Sequence, residues 1–157
     1  RRAVEQPATP APEIGVAEPP ISYKLDGIAD IVSRLQNYQC FNDTLVLCRF
    51  DQVGHAVSCT NAMEWYRMVT GVEINVDDVL EIGERIFTLK RLYNTRLGVS
   101  RKDDFLPPRF MTHNRKGGEL TTQLPPVGQM LEQYYEHRGW DELGVPGQDK
   151  IAALGLA

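Results

Sequence analysis

Apolar residues in this chain recur mainly every three or four positions, the period of helices with one buried face. Leu25, Ile28, Val32 and Leu35 share one such stripe, and Ser22 stands ahead of them as a suitable N-cap. A break is expected between Cys40 and Asp43. Asp43 would then cap a second, short helix bearing Leu45, Leu47, Cys48 and Phe50. Thr60 would cap the next, with Ala62, Trp65, Tyr66 and Val69 at helical spacing and Gly71 as its stop. The strongest pattern runs from Val76 to Leu97. Asn75 and Asp78 form a near capping box, Asp77, Asp78 and Glu81 lie early, and Lys90, Arg91 and Arg96 lie late, as the helix macrodipole favours. Val79, Ile82, Ile86, Leu89 and Tyr93 are its expected apolar stripe, Glu81 and Arg85 can pair across one turn, and Gly98 follows its end.

Residues 99–125 carry little regular signal. Pro126 opens another helix with Val127, Met130, Leu131, Tyr134 and Tyr135 on its buried face and Gly139 at its end. A short helix near Gln148 to Leu154 closes the chain. No segment has a convincing strand period, and no internal repeat is visible. The pattern predicts an all-α, irregular multihelical domain, packed helix against helix by ridges and grooves.

Composition adds an arm to this picture. The first 20 residues hold five of the 10 prolines and no aromatic residue, too little apolar surface to offset the entropy of ordering. Residues 1–21 are therefore expected to form an extended Pro-rich linker, or an arm lying on another domain, ahead of a helical domain over 22–157. The first residue is Arg1 rather than Met, as a processed or excised piece would show. The chain has 157 residues, 42% hydrophobic and 24% charged, values of a globular protein with a real core. A net charge of −4 gives no reason to expect nucleic acid as a partner. No apolar run approaches the roughly 20 residues that span a bilayer, so no membrane partner and a cytoplasmic location are expected.

The side chains with chemistry are few. Cys40, Cys48 and Cys59 are odd in number and have no C-x-x-C spacing, which argues against a disulfide framework; taken alone they read as reduced, mostly buried thiols. His55, His113 and His137 show no metal spacing, and His137 suits the end of its helix. Asp103 and Asp104 are expected to organise the turn toward Pro107 and to pair with Arg101 or Arg109 rather than to do acid–base work. Arg115-Lys116-Gly117-Gly118 lacks the pattern of a phosphate loop. No residue of the chain is assigned a catalytic role.

Four stretches together change the reading. They are Asp43-Thr44-Leu45-Val46-Leu47-Cys48; Glu81-Ile82-Gly83-Glu84-Arg85-Ile86 leading into Leu92-Tyr93-Asn94; Arg101-Lys102-Asp103-Asp104 with Leu106-Pro107 and Arg109; and Tyr134-Tyr135 through Gly139-Trp140-Asp141 to Gly144-Val145-Pro146. In this order, from about residue 22 to the end, they resemble the C-terminal region of the tungsten-containing aldehyde:ferredoxin oxidoreductase family. Each is weak alone; the four in order are specific. The resemblance implies a parent enzyme with tungsten or molybdenum between two pyranopterins beside a 4Fe–4S cluster, oxidising aldehydes to carboxylates and passing electrons to ferredoxin. It implies that Cys48 is the cluster's fourth ligand, that Asp43 hydrogen-bonds the pterin and that Leu47 lies in the pterin-binding turn. The partners implied are the remainder of the parent and ferredoxin or another electron-transfer protein, with a homodimer of the parent compatible.

The chemistry is coherent. A thiolate suits iron–sulfur ligation, and a carboxylate accepts strong charge-assisted bonds from a heterocycle's N–H groups. The chain departs from the family's D-x-x-G-L-C motif at Val46, where the family has Gly. Two rival readings stay open: a relative on the same scaffold that reduces another substrate, such as an aromatic acyl-CoA, and a cofactor-free helical interaction module.

Overall fold

Six helices carry the fold in a computed structural model that describes residues 11–17, 25–50, 57–113 and 124–157. They are α1 (Ile28–Thr44), α2 (Cys59–Thr70), α3 (Val76–Arg96), α4 (Pro108–Thr112), α5 (Val127–Arg138) and α6 (Gln148–Ala153), with single 3-10 turns at Pro12–Ile14 and Arg101–Asp103. Among the described residues there is no strand, only two isolated bridges, Ala11 with Val16 and Trp140 with Pro146. The all-α expectation holds.

α3 starts where its sequence says. Asn75 accepts from the N–H groups of Asp77 and Asp78, and Asp78 accepts from the Asn75 N–H at 2.8 Å, closing the capping box. Glu81 and Arg85 pair at 3.1 Å. At the other end Gly98 has φ 88; its N–H reaches the Thr95 carbonyl and that of Val99 the Asn94 carbonyl, a Schellman closure. α2 ends on Gly71 as expected. Its N-cap, however, is Ser58, in a box with Asn61; Thr60 lies inside the helix. The N–H groups of Cys59 and Thr60 and the Thr60 hydroxyl all point to the Glu13 carboxylate.

α1 differs most from expectation. Its N-cap is Gly27, and Ser22 lies outside the described residues. The predicted break at Cys40–Asp43 does not occur, because Tyr38, Cys40, Phe41 and Asn42 are all buried and the helix carries them into the core. The core gathers Tyr38 and Phe41 of α1, Cys59 and Ala62 of α2, Val79 of α3, and Ile14 and Val16. Of the Pro-rich segment, the described residues 11–17 thus pack on this domain: Ile14 and Val16 are each 1% exposed.

The crossing of α1 and α3 is set by a glycine. A Cβ at Gly83 would lie 1.9 Å from the Asn37 carbonyl oxygen, so the two backbones touch there. This crossing fixes which side of the first half of α3 is buried, with Val79 and Gly83 on it. In the second half the buried positions are Thr88 and Arg91, on a different side of the helix, whereas Leu89 and Tyr93 of the expected stripe are exposed. In an exposed helix interior, Gly→Ala gains about 1 kcal/mol. Here the clash is with backbone and must prevail. Gly83→Ala is expected to destabilise the protein by about 3 kcal/mol, as severe overpacking does, seen as a lowered midpoint in chemical denaturation.

Candidate functional site

The turn from Asp43 to Cys48 is built by the end of α1. The N–H of Val46 donates to the Asp43 carbonyl at 3.2 Å and that of Leu47 to the Asn42 carbonyl at 3.2 Å. This is a second Schellman closure, and it requires a left-handed residue at position 46. Val46 supplies it with φ 58; among the described residues it is the one non-glycine with positive φ. Left-handed backbone costs an L-residue about 1–2 kcal/mol, and Val46 is 90% exposed, so no packing within the described fold offsets the cost. Leu47 packs back against the core cluster, the hydrophobic contact that accompanies such closures. Helical backbone resumes at Arg49, which leaves Cys48 exposed at the junction.

Asp43 is therefore not an N-cap. It occupies the last turn of α1, the end at which the macrodipole disfavours a carboxylate. Two neighbours compensate: Gln39 Nε2 donates to Oδ1 at 2.9 Å, and Lys90 Nζ of α3 stands 3.7 Å from Oδ2. The same ammonium lies 3.6 Å from Cys40 Sγ.

The three sulfurs sort by environment. Burial pushes the Cys40 thiol up, against the opposing charge of Lys90. Burial, reinforced by Glu13, pushes Cys59 to about 11. Both are held as inert thiols. Cys48 alone of the three is exposed. Among the described residues no group of three His, Cys, Asp or Glu side chains could hold a metal ion. What the turn offers is one accessible soft donor and one carboxylate on a fixed loop. That donor set fits a cofactor held mainly by other protein, not an autonomous metal site.

Elsewhere in the fold lie two buried arginines that the sequence reading missed in this role. Arg91, expected to serve the macrodipole, makes a bidentate pair with Asp104 at 3.1 and 2.7 Å and donates from Nε to the Gly144 carbonyl at 2.7 Å. Its guanidinium lies 4.9 Å from the Trp140 ring. A Cβ at Gly144 would fall 2.0 Å from Arg91 Nη2, so the glycine makes room for the guanidinium. Asp104 pairs with Arg91 rather than Arg109, takes the Tyr135 hydroxyl as a donor, and leaves only its backbone carbonyl to Arg101. Asp103 accepts from the Ser100 N–H at 2.8 Å and organises the turn as expected. Arg138 is 1% exposed and donates to Asn37 and Gln36 of α1 at 2.7 and 2.8 Å, with its face on Phe87 at 4.4 Å. Tyr134 is not a purely apolar core residue; its hydroxyl donates to Gln36 at 2.5 Å. The available signal for these arginines was an apolar helix face interrupted by Arg at core register.

A model of the family described as aldehyde ferredoxin oxidoreductase, domains 2 & 3, matches residues 3–156. This chain belongs to the aldehyde ferredoxin oxidoreductase family, in its C-terminal region. A tungsten-containing aldehyde ferredoxin oxidoreductase of Pyrococcus horikoshii is 32% identical over 141 residues, 85% of this chain and 23% of that protein. The corresponding Pyrococcus furiosus enzyme is 31% identical over 78% of this chain and 20% of its own length. An aliphatic sulfonate oxidoreductase, WOR-like subunit, of the same organism is 30% identical over 75% of the chain and 20% of its own. The chain thus spans about a fifth of the length of these relatives. Among solved structures, the active-site complex BamBC of benzoyl coenzyme A reductase, bound to 1,5-dienoyl-CoA, superposes with a TM-score of 0.52 at 25% identity, covering 64% of this chain and 14% of that one.

Partial burial raises the Asp104 carboxyl, but the hydrogen bonds from Arg91 and Tyr135 and the charges of Arg91 and Arg101 outweigh it and hold it below 3.8. A lowered carboxyl contributes stability above its unfolded pKa, lost as pH falls through the folded one. Asp104→Asn leaves a buried arginine without its counter-charge and is expected to cost about 3 kcal/mol at pH 7. The gap from wild type should narrow below pH 3.8 as the native carboxyl protonates, which denaturation at a series of pH values reads directly.

Proposed function

We propose that this chain is the helical C-terminal part of a tungstopterin and iron–sulfur oxidoreductase that oxidises aldehydes to carboxylates with a ferredoxin-type electron acceptor. The observation that carries this reading is the exposed Cys48 thiol at the end of the hydrogen-bonded Asp43–Cys48 turn, in a chain that spans about a fifth of its tungsten-containing relatives. Cys48 is the fourth ligand of a 4Fe–4S cluster whose other three thiolates come from elsewhere in the parent. Asp43 accepts N–H bonds from a pyranopterin, its carboxylate steadied by Gln39 and Lys90. Leu47 contributes to the pterin turn by anchoring it in the core. When bound, tungsten (or molybdenum) and the cluster supply the two-electron oxidation and the one-electron exit; the protein supplies position and electronic tuning. By itself the 157-residue chain turns over no substrate. Its free thiols suit a reducing, cytoplasmic setting.

A second reading keeps the scaffold and changes the substrate. The superposition on a benzoyl coenzyme A reductase complex favours it, and the parent's turnover of aldehydes against aromatic acyl-CoA thioesters separates the two. The ligand assignment is checked in the full-length parent. Cys48→Ala is expected to lose the cluster's iron, acid-labile sulfide and reduced-state EPR signal, and Cys40→Ala to keep them. Unchanged iron and sulfide in Cys48→Ala would overturn the ligand assignment; a parent with no iron or inorganic sulfide, its stability unchanged by Cys48→Ala, would leave a cofactor-free helical module as the better account.

A further inference from the structure

Val46 is hard to explain from within this chain. A β-branched residue is poorly suited to left-handed backbone, which only glycine adopts freely. The closure at the end of α1 demands that backbone whichever residue stands there, since the Val46 and Leu47 N–H groups are both bonded to last-turn carbonyls. Glycine would remove the strain. The isopropyl group gains nothing in exchange within the described fold, because it is 90% exposed. Its benefit must come from what covers the turn. The covering group has to meet an apolar surface, because Phe50, two residues beyond the thiol, is 77% exposed as well. Exposed apolar side chains thus stand two residues before and two residues after Cys48.

We propose that Val46 is a positioning residue for the cluster bound at Cys48: its isopropyl group, with Phe50, forms an apolar collar that keeps water from the ligating sulfur. The inference rests on the ligand assignment above. An apolar surround controls solvent access and local dielectric at a metal site, and through them its potential and its resistance to ligand loss. The turn keeps the backbone a glycine would have, so substitution there changes only the side chain and the strain it brings.

The test is a series of the full-length holoenzyme with Val46, Val46→Ala and Val46→Gly. Two readouts move in opposite directions. Relief of left-handed strain raises the thermal midpoint of Val46→Gly, so the variant folds and the experiment remains interpretable. Loss of the collar speeds iron release to a chelator by about tenfold in Val46→Gly, the lower end of the loss in metal affinity or activity when outer-shell partners of metal sites are removed, with Val46→Ala between. The reduced cluster of Val46→Gly also shows stronger deuteron couplings after exchange into D2O. A raised thermal midpoint with unchanged iron release and unchanged deuteron coupling overturns the proposal. Cys48→Ala separates the two levels of inference: if it retains the cluster, the ligand assignment fails; if it loses the cluster while Val46→Gly matches wild type, the collar alone fails.

Discussion

Where Gly83 meets Asn37, two helix backbones touch with no side chain between them. That contact sets the spacing of α3 against α1, with Val79 buried on the same side. The second half of α3 buries a different side, through Thr88 and Arg91. It meets α5 and the 140–146 loop through Arg91 as well as through the Phe87–Trp140 stack.

The two buried arginines tie these elements together. Arg138 spreads its donors over Asn37, Gln36 and Tyr134, so the end of α5 is tied to the middle of α1, next to the Gly83 crossing. Arg91 ties the second half of α3 to Asp104 and to the Gly144 carbonyl. Phe87 and Trp140 lie nearly parallel, 6.2 Å apart, with Arg138 over the first ring and Arg91 over the second. Desolvated charges are costly unless every donor is used, and these guanidinium groups are almost fully engaged. The gain is a loop whose exit direction is fixed by hydrogen bonds.

The elements that sequence placed well were those specified locally. The capping box of α3, its Glu81–Arg85 pair and the glycine stops of α2 and α5 depend on neighbours within a few residues. The failures were tertiary. Asp43 has the composition of an N-cap, but α1 runs through it because Phe41 and Asn42 are wanted in the core. Leu89 and Tyr93 have the right period but are exposed, because the buried side of α3 shifts to Thr88 and Arg91 in its second half. Arg91 and Arg138 interrupt apolar helix faces, but that signal alone does not show burial, because burial of a charge is legible only with its partners in view. At the candidate turn the sequence singled out Cys48, and the structure leaves that thiol exposed and the other two buried. It did not single out Lys90, which approaches Asp43 from another helix.

The Schellman closure behind Cys48 has a mechanical side. With both amides of the turn committed to α1, the sulfur is carried as an extension of that helix, three residues beyond its C-cap at Leu45. A 17-residue helix is a rod about 25 Å long, clamped near its middle by α3. The thiol therefore inherits the stiffness of the rod rather than the softness of a loop. A side chain mounted on such a beam keeps its place relative to α3 while the rest of the surface is free to diverge.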